Sequence, residues 1–190
     1  MTDEEPRGTA LTPAAYGASR AVLWTGVSAL FTDAGGRVLL ERVDYRPHCL
    51  LPGGAVEAGE PPSAALAREV REELGLDRVF TRVLALEWVP PTLPGMDGTG
   101  FPGEHLYVYE GGTLSPADLA AVVLPPREVT GLVWARPEEL GAYMVASDVP
   151  RVRAALAARG AGGPGAGGPA VLEDGRPPGG AGKRGGHTDT

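Results

Sequence analysis

Cysteine and histidine are scarce in this chain of 190 residues, and their scarcity excludes whole classes of site. Cys49 is the only cysteine, so neither an internal disulfide framework nor a multi-cysteine zinc site can form. The three histidines, His48, His105 and His187, are scattered along the sequence, which makes a histidine zinc site equally unfavourable. The sequence therefore gives no support for a zinc protein.

Long apolar runs and clustered basic charge are also missing. No apolar stretch reaches membrane-spanning length, and the N-terminal MTDEEPRGTA has neither the basic start nor the apolar core of a signal peptide. The net charge is −7 and the basic residues form no stripe in the body, which argues against a general grip on nucleic acid. We expect a cytoplasmic protein that binds neither a membrane nor a nucleic acid.

Composition divides the chain into a body and two ends. Residues 1–19 lack hydrophobic periodicity and are interpreted as a flexible N-terminal arm. Residues 160–190 contain 12 Gly and 4 Pro among 31 positions, so they offer little surface to bury against the cost of ordering, and we predict a disordered tail. A docking tag around Lys183 and Arg184 is the alternative. The body, residues 20–159, is long enough for one domain with its own core.

The most specific pattern in the body is GAVEAGEPPSAALAREVREELGL, at residues 54–76. Pro61 and Pro62 suit the first turn of a helix, and Gly75 suits the left-handed position just after its end, so we predict a helix over residues 62–74. The glycines of the LPGG that leads into this pattern predict a tight loop, whose backbone can closely approach a metal or a phosphate.

Three glutamates share one side of the predicted helix. At about 100° per residue, Glu69, Glu72 and Glu73 project within about a quarter-turn of one another. Neighbouring carboxylates repel, so the cluster makes sense if divalent cations lie among them, and magnesium or manganese suits hard oxygen ligands. The alternative is an ordinary solvated helix face with ion pairs along it. A P-loop is excluded, because Glu60-Pro61 stands where that motif requires Lys and Ser or Thr.

The whole segment resembles the Nudix box, whose pattern is G-x5-E-x7-R-E-U-x-E-E-x-G-U, where U is apolar. Every specified position is matched, by Gly54, Glu60, Arg68, Glu69, Val70, Glu72, Glu73, Gly75 and Leu76. The resemblance implies that Glu69, Glu72 and Glu73 bind catalytic Mg²⁺, for which Mn²⁺ is a substitute, with the carbonyl of Gly54 as a further ligand. It also implies that Arg68 orients a box glutamate and that Glu60 braces the loop.

Two regions outside the box are candidates for contact with a substrate. Arg46 could meet a phosphate and Tyr45 could stack on a base just before the metal loop, although a merely solvated turn is the alternative. The Gly- and Pro-rich connection at residues 90–104 is long for a compact domain, which favours either a substrate-facing loop or an insertion without function. Trp24 and Trp88 fall inside strand patterns, where packing in the core is the default role.

Strands and helices alternate in the body. Runs rich in β-branched and aromatic residues predict strands at residues 21–32, 38–43, 79–89, 105–109 and 129–135. Helical patterns occur at the box and at residues 116–122, 137–143 and 149–159. The DAGG at residues 33–36 predicts a turn that joins the first two strands as a hairpin. This order suggests a mixed sheet covered on both faces, and the resemblance makes it an α/β fold, the Nudix-type α/β/α sandwich.

The resemblance implies a metal-dependent pyrophosphohydrolase, which cleaves a nucleoside diphosphate linked to another moiety by attack of water at phosphorus. ADP-ribose-like compounds and nucleoside triphosphates both remain candidate substrates. Pro91 stands about fifteen residues after the box, where the ADP-ribose-cleaving members of the family have a proline, but this marker is weak. The general base is sought among Glu69, Glu104 and Glu87. The alternative function is a regulatory domain that binds a nucleotide without hydrolysing it, and a homodimer is kept open.

Overall fold

A mixed sheet of seven strands forms the centre of the fold in the computed structural model, which describes residues 11–125, 128–161 and 168–179. In chain order the strands are β1 Trp24–Thr32, β2 Val38–Val43, β3 Gly53–Ala55, β4 Val83–Val89, β5 Glu104–Thr113, β6 Val129–Ala135 and β7 Ala170–Glu173. Six strands follow the order β6-β2-β1-β5-β4-β7, and β3 pairs with β1. The pairs β1–β5 and β4–β7 are parallel and the others antiparallel, which confirms the predicted mixed sheet.

The turn between β1 and β2 forms where the sequence predicts it. The Asp33 carboxylate accepts hydrogen bonds from the backbone N–H groups of Gly35, at 2.9 Å, and Arg37, at 2.8 Å. Gly36 supplies the positive φ, 78°, that the chain needs to reverse. Thr32 then pairs with Val38 and starts the antiparallel hairpin.

Five helices accompany the sheet within the described residues. They are α1 Pro13–Ala18, α2 Pro62–Leu74, α3 Pro116–Ala121, α4 Leu140–Tyr143 and α5 Val149–Gly160. The bounds of α2 are those predicted from the sequence, with Pro61 as the N-cap and Gly75 in the left-handed conformation, φ 70°, at the C-cap. None of these helices combines the length and the apolar character needed to cross a membrane.

The two faces of the sheet carry two separate apolar layers, because successive strand residues point to opposite sides. On one face, α2 packs against β1, through the buried side chains Val27, Ala29, Phe31, Leu66, Val70 and Leu74. On the other face, α4 and α5 pack against the sheet, through the buried side chains Leu30, Leu40, Leu84, Leu140, Val152 and Ala155. Helices therefore cover both faces, as the α/β/α sandwich requires.

The prediction that Trp24 and Trp88 pack in the core is wrong. Trp24 is 49% exposed and Trp88 is 38% exposed. Both lie at one end of the sheet, since Trp24 is the first residue of β1 and Trp88 is next to last in β4. The alternation of apolar and polar residues predicts which face of the sheet a side chain lies on. It does not predict whether a helix covers that face at the end of the strand.

Both chain ends depart from their predicted states. The predicted disorder of the tail is wrong for residues 168–179, because Ala170–Glu173 forms β7, pairs with β4 and buries Leu172. Composition hid the Asp174-Gly175 dipeptide, whose two positive φ angles, 50° and 74°, are those of a tight hairpin-type turn. The predicted arm contains the short helix α1, whose residues are all exposed. Residues 1–10, 162–167 and 180–190 lie outside the described part.

Candidate functional site

A cavity of about 730 Å³ opens at the end of the sheet where β1 and β5 begin and β4 ends. Its walls include the box, the turn after β2, the connection from β4 to β5, the segment from α4 into α5, and the segment after β7. The residues that they contribute include Gly54, Glu69, Glu73, Tyr45, Arg46, Leu93, Met96, Phe101 and Arg176. Both regions that the sequence predicts as substrate contacts, the turn with Tyr45 and Arg46 and the connection at residues 90–104, therefore share one cavity with two of the box glutamates.

Both glycines of the LPGG loop lie very close to their neighbours. A Cβ atom on Gly54 would lie 2.6 Å from the carboxyl carbon of Glu69, and one on Gly53 would lie 2.1 Å from the carbonyl oxygen of Val27. Gly53 also has a φ of 139°, which strains any other residue. Its backbone N–H donates to Oε2 of Glu73 at 2.7 Å. The loop thus orients one box glutamate and leaves space for another.

Arg68 is the centre of the ionic network of the box. Its Nε and Nη2 donate to the two oxygens of Glu60, at 3.2 and 3.0 Å, and its Nη1 donates to Oε1 of Glu69 at 2.8 Å. A hydrogen bond from Arg68 lowers the pKa of Glu60, and the same pairing raises the pKa of Arg68. Glu60 also accepts from the backbone N–H of Glu57 at 3.2 Å. These contacts are the ones that the expected roles of Arg68 and Glu60 require.

Glu72 stands apart from the other two metal-ligand candidates. Its side chain is 56% exposed, it does not line the cavity, and its Oε2 lies 3.3 Å from Nη1 of Arg68. The structure therefore brings Glu69, Glu73 and Gly54 together, whereas Glu72 does not line the cavity. In the described part of the chain, no three His, Cys, Asp or Glu side chains lie close enough together to hold a metal ion.

Glu41 is a site residue that the sequence analysis missed. It lies on β2, is 1% exposed, and its carboxyl group interacts with that of Glu73. Burial raises the pKa of both groups, and the charge of Glu41 raises that of Glu73 further. A signal was present in the sequence. Glu41 shares one side of β2 with the apolar residues Leu39 and Val43, and a glutamate is unusual on a buried side of a strand.

The donor atoms suit a hard cation in their chemistry. Glu69 and Glu73 offer carboxylate oxygens to the cavity. Because Gly54 has no side chain, the space beside the Glu69 carboxylate stays free. Oε1 of Glu41, behind Glu73, is buried and has no hydrogen-bond partner among the described residues. Oxygen donors of this kind match magnesium or manganese and do not match zinc.

The two predicted base candidates outside the box differ in their surroundings. Both carboxylate oxygens of Glu87 are engaged, one by Nη1 of Arg151 and the other by the backbone N–H of Gly175 at 2.7 Å. Glu104 lines the cavity, and burial raises its pKa. Glu128 also lines the cavity and has a positive φ of 83°, which is strained for a glutamate, and the sequence analysis missed it.

Aromatic rings form another part of the cavity wall. The rings of Trp24 and Phe101 meet edge to face, with centroids 5.3 Å apart. Tyr45 is exposed, and the guanidinium carbon of Arg46 lies 5.6 Å from its ring centroid. The cavity thus offers flat apolar surface near the carboxylates. Such surface suits a base or a sugar ring.

Comparisons with known proteins agree with this geometry. The sequence pattern of the family described as NUDIX domain matches residues 22–157. The RNA pyrophosphohydrolase of Gluconacetobacter diazotrophicus is 32% identical over 77 residues, a match that covers 36% of this chain and 46% of that relative, or about half its length.

Solved structures share the fold. The Escherichia coli ORF135 protein is 27% identical, with a TM-score of 0.52, and the match covers 72% of this chain and 91% of that one. A UDP-X diphosphatase is 17% identical, with a TM-score of 0.61, and the match covers 81% of this chain and 68% of that one, which shows the fold alone. Since the family pattern spans most of the chain and the box is intact, the protein belongs to the Nudix family.

Proposed function

We propose that the protein is a metal-dependent pyrophosphohydrolase, which cleaves a nucleoside diphosphate linked to another moiety by attack of water at phosphorus. The observation that supports this most is the convergence of Glu69, Glu73 and the Gly54 loop on one wall of a cavity of about 730 Å³. A cavity of several hundred Å³ is the size that small-molecule ligands occupy. The relative named RNA pyrophosphohydrolase and the structure named UDP-X diphosphatase fit this class of reaction.

Glu69, Glu72, Glu73 and the carbonyl oxygen of Gly54 would hold Mg²⁺, with Mn²⁺ as a substitute. When bound there, the cation neutralises charge on the diphosphate and acidifies a water molecule. The chain prepares these ligands: Gly53 N–H fixes one oxygen of Glu73, and Arg68 fixes one oxygen of Glu69. The side chain of Glu72 is 56% exposed and contacts Arg68, so it would have to turn toward the cavity to join the other ligands.

Proton transfer from the attacking water needs a base inside the cavity. Glu104 suits this role, because it lines the cavity and its raised pKa makes it a better proton acceptor than an ordinary glutamate. Glu87 suits it poorly, since both of its oxygens already accept hydrogen bonds from the protein. Glu69 remains the candidate within the box, because burial raises its pKa as well, although the hydrogen bond from Arg68 opposes that rise.

The nucleobase and the linked moiety of the substrate would be held by cavity residues outside the box. Arg46 has no ion pair within the described residues and lines the cavity, so it is placed to meet a phosphate oxygen. Tyr45 beside it and Trp24, which also lines the cavity, offer rings on which a nucleobase or a sugar can stack. ADP-ribose-like compounds and nucleoside triphosphates are the two substrate groups that these contacts accommodate.

A magnesium-dependent activity screen tests the proposal. The full chain is incubated with nucleoside triphosphates, nucleotide sugars, ADP-ribose and dinucleotides, and the products are identified by mass spectrometry. We expect a phosphomonoester and a second phosphate-bearing product, and no turnover in excess chelator. Turnover that persists undiminished in chelator would overturn the metal-dependent reading. Tight binding of one of these nucleotides without product would instead indicate a regulatory nucleotide-binding domain.

A further inference from the structure

The segment after β7 forms one wall of the cavity, although it lies beyond residues 22–157, which match the family. Asp174, Gly175 and Arg176 all line the cavity. Asp174 and Gly175 both have positive φ, and Glu173 pairs with Arg176 in an antiparallel bridge, so the three lining residues belong to one tight turn. We call residues 174–176 the C-terminal turn.

The C-terminal turn is fastened to the body by a buried ionic network. Glu87, whose side chain is 3% exposed, accepts from Gly175 N–H at 2.7 Å through one oxygen and from Arg151 through the other. Arg151 in turn donates to Oδ1 of Asp148 at 2.9 Å. Asp174 N–H also donates to the carbonyl oxygen of Trp88 at 3.0 Å. Because charge-assisted bonds to a buried carboxylate are strong and directional, the turn has a fixed place in the wall.

The charges near this turn do not favour another phosphate. Away from the box, the charged side chains that line the cavity are Glu87, Glu104, Glu128, Asp148, Asp174, Arg46, Arg151 and Arg176. Five carboxylates face three guanidiniums, so no positive charge is in surplus. Carboxylate oxygens accept hydrogen bonds from hydroxyl groups, and a guanidinium donates to hydroxyl oxygens. This end of the cavity therefore suits an uncharged group that bears several hydroxyls.

We propose that the C-terminal turn binds the sugar of the moiety linked to the nucleoside diphosphate, with Asp174 accepting from its hydroxyls and Arg176 donating to them. This inference rests on the proposed function and makes it more specific. It favours sugar-linked nucleoside diphosphates over nucleoside triphosphates, because the latter would place a further phosphate against this wall. Glu87 and Arg151 are positioning residues, which hold the turn in place.

Matched ligands isolate the contribution of the sugar. ADP-ribose is compared with ADP, and UDP-glucose with UDP, by calorimetry with Mg²⁺ in the Glu73→Gln background, where we expect turnover to be lost. The variants Asp174→Gly and Arg176→Ala remove the two side chains, and glycine accepts the positive φ of position 174. Glu173→Ala is the control, because it removes a charge from the same exposed segment outside the cavity.

We expect the sugar-linked ligand of at least one pair to bind more tightly than its partner. Each of the two variants should reduce that advantage on the order of tenfold, as for the loss of a hydrogen bond to a charged group, and the control should retain it. An advantage unchanged in both variants, or no advantage in either pair, would overturn the inference. Hydrolysis of the same ligands by the otherwise unaltered chain is measured separately. A sugar advantage without any product would overturn the proposed function and leave this inference standing.

Discussion

Glu73 on α2 and Glu41 on β2 form an interacting pair of buried carboxyl groups. Glu73 is 7% exposed, and its Oε2 is fixed by the N–H of Gly53 at 2.7 Å. Burial raises the pKa of both carboxyls, and the charge of Glu41 raises that of Glu73 further. A proton or a cation is therefore needed to stabilise the two buried carboxyls. An exposed glutamate on an ordinary helix surface has no such requirement.

Glu73→Gln keeps nearly the same volume and helix preference while removing one anionic oxygen ligand. We expect the variant to fold normally, to need more magnesium and to lose on the order of a hundredfold or more in turnover. Kinetics across a magnesium titration and a thermal melt on the same protein check this. Glu138→Gln, an exposed position away from the cavity, is the control. Wild-type kinetics would support the solvated-helix alternative, which predicts equal or slightly higher stability and no loss of activity.

Glu41→Gln should change how the stability of the chelator-treated protein depends on pH. In the folded state both carboxyls have pKa values raised above the ordinary 4.5, so the folded protein binds more protons than the unfolded chain above that pH. Their contribution to stability is greatest below 4.5 and is lost as the pH rises toward the raised values. Removing one carboxyl should flatten this decline.

Thermal melts in chelator between about pH 5 and about pH 9 measure the effect. We expect the melting temperature to fall less with pH in Glu41→Gln than in the unaltered chain, and Glu138→Gln to keep the original slope. Identical slopes in all three proteins would show that the Glu41 and Glu73 carboxyls do not interact in solution.

Replacing each of the two adjacent glycines of the LPGG loop by alanine should have different effects on stability and turnover. At Gly54 the new Cβ meets the end of a flexible side chain, Glu69, so we expect a modest loss of stability and a large loss of turnover as that carboxylate is displaced. At Gly53 the new Cβ meets backbone at 2.1 Å and the φ of 139° is strained, so unfolding should become easier by roughly 2 kcal/mol or more. Melting temperature and turnover of both variants separate the two effects, and equal destabilisation would contradict this assignment.

Leu172→Ala tests whether β7 contributes to the stability of the body. Leu172 is 5% exposed, so its truncation should cost about 2 to 3 kcal/mol in the free energy of unfolding. Val171→Ala is the matched control, because Val171 is 48% exposed on the same strand and should cost much less. Denaturant titration measures both. If the two variants were equally stable, the segment would not be packed on the sheet.

Local signals predicted the box, and contacts between distant residues escaped prediction. Pro61, Pro62 and Gly75 fix the ends of α2 by their own backbone preferences, so its bounds are readable from the sequence. The pairing of Glu41 with Glu73 depends on how β2 and α2 meet in the sandwich, which no local pattern encodes. The exposure of Trp24 likewise depends on where the covering helices end.

The C-terminal strand was missed for a different reason. We judged residues 160–190 by their average glycine and proline content. β7 has only four residues, so a strand of this length does not show in such an average. The Asp174-Gly175 dipeptide was a local signal for that turn, and the average concealed it.

The position of β7 at the end of the strand order also bears on solubility. Without it, β4 would be the outermost strand, and the VLALEWV segment would present its unpaired backbone N–H and C=O groups to other molecules. β7 is only four residues long, and Pro169 and Pro177 stand close to its two ends, where they limit further strand pairing. Proteolytic trimming of the C-terminus would therefore turn a protected sheet margin into a template for aggregation.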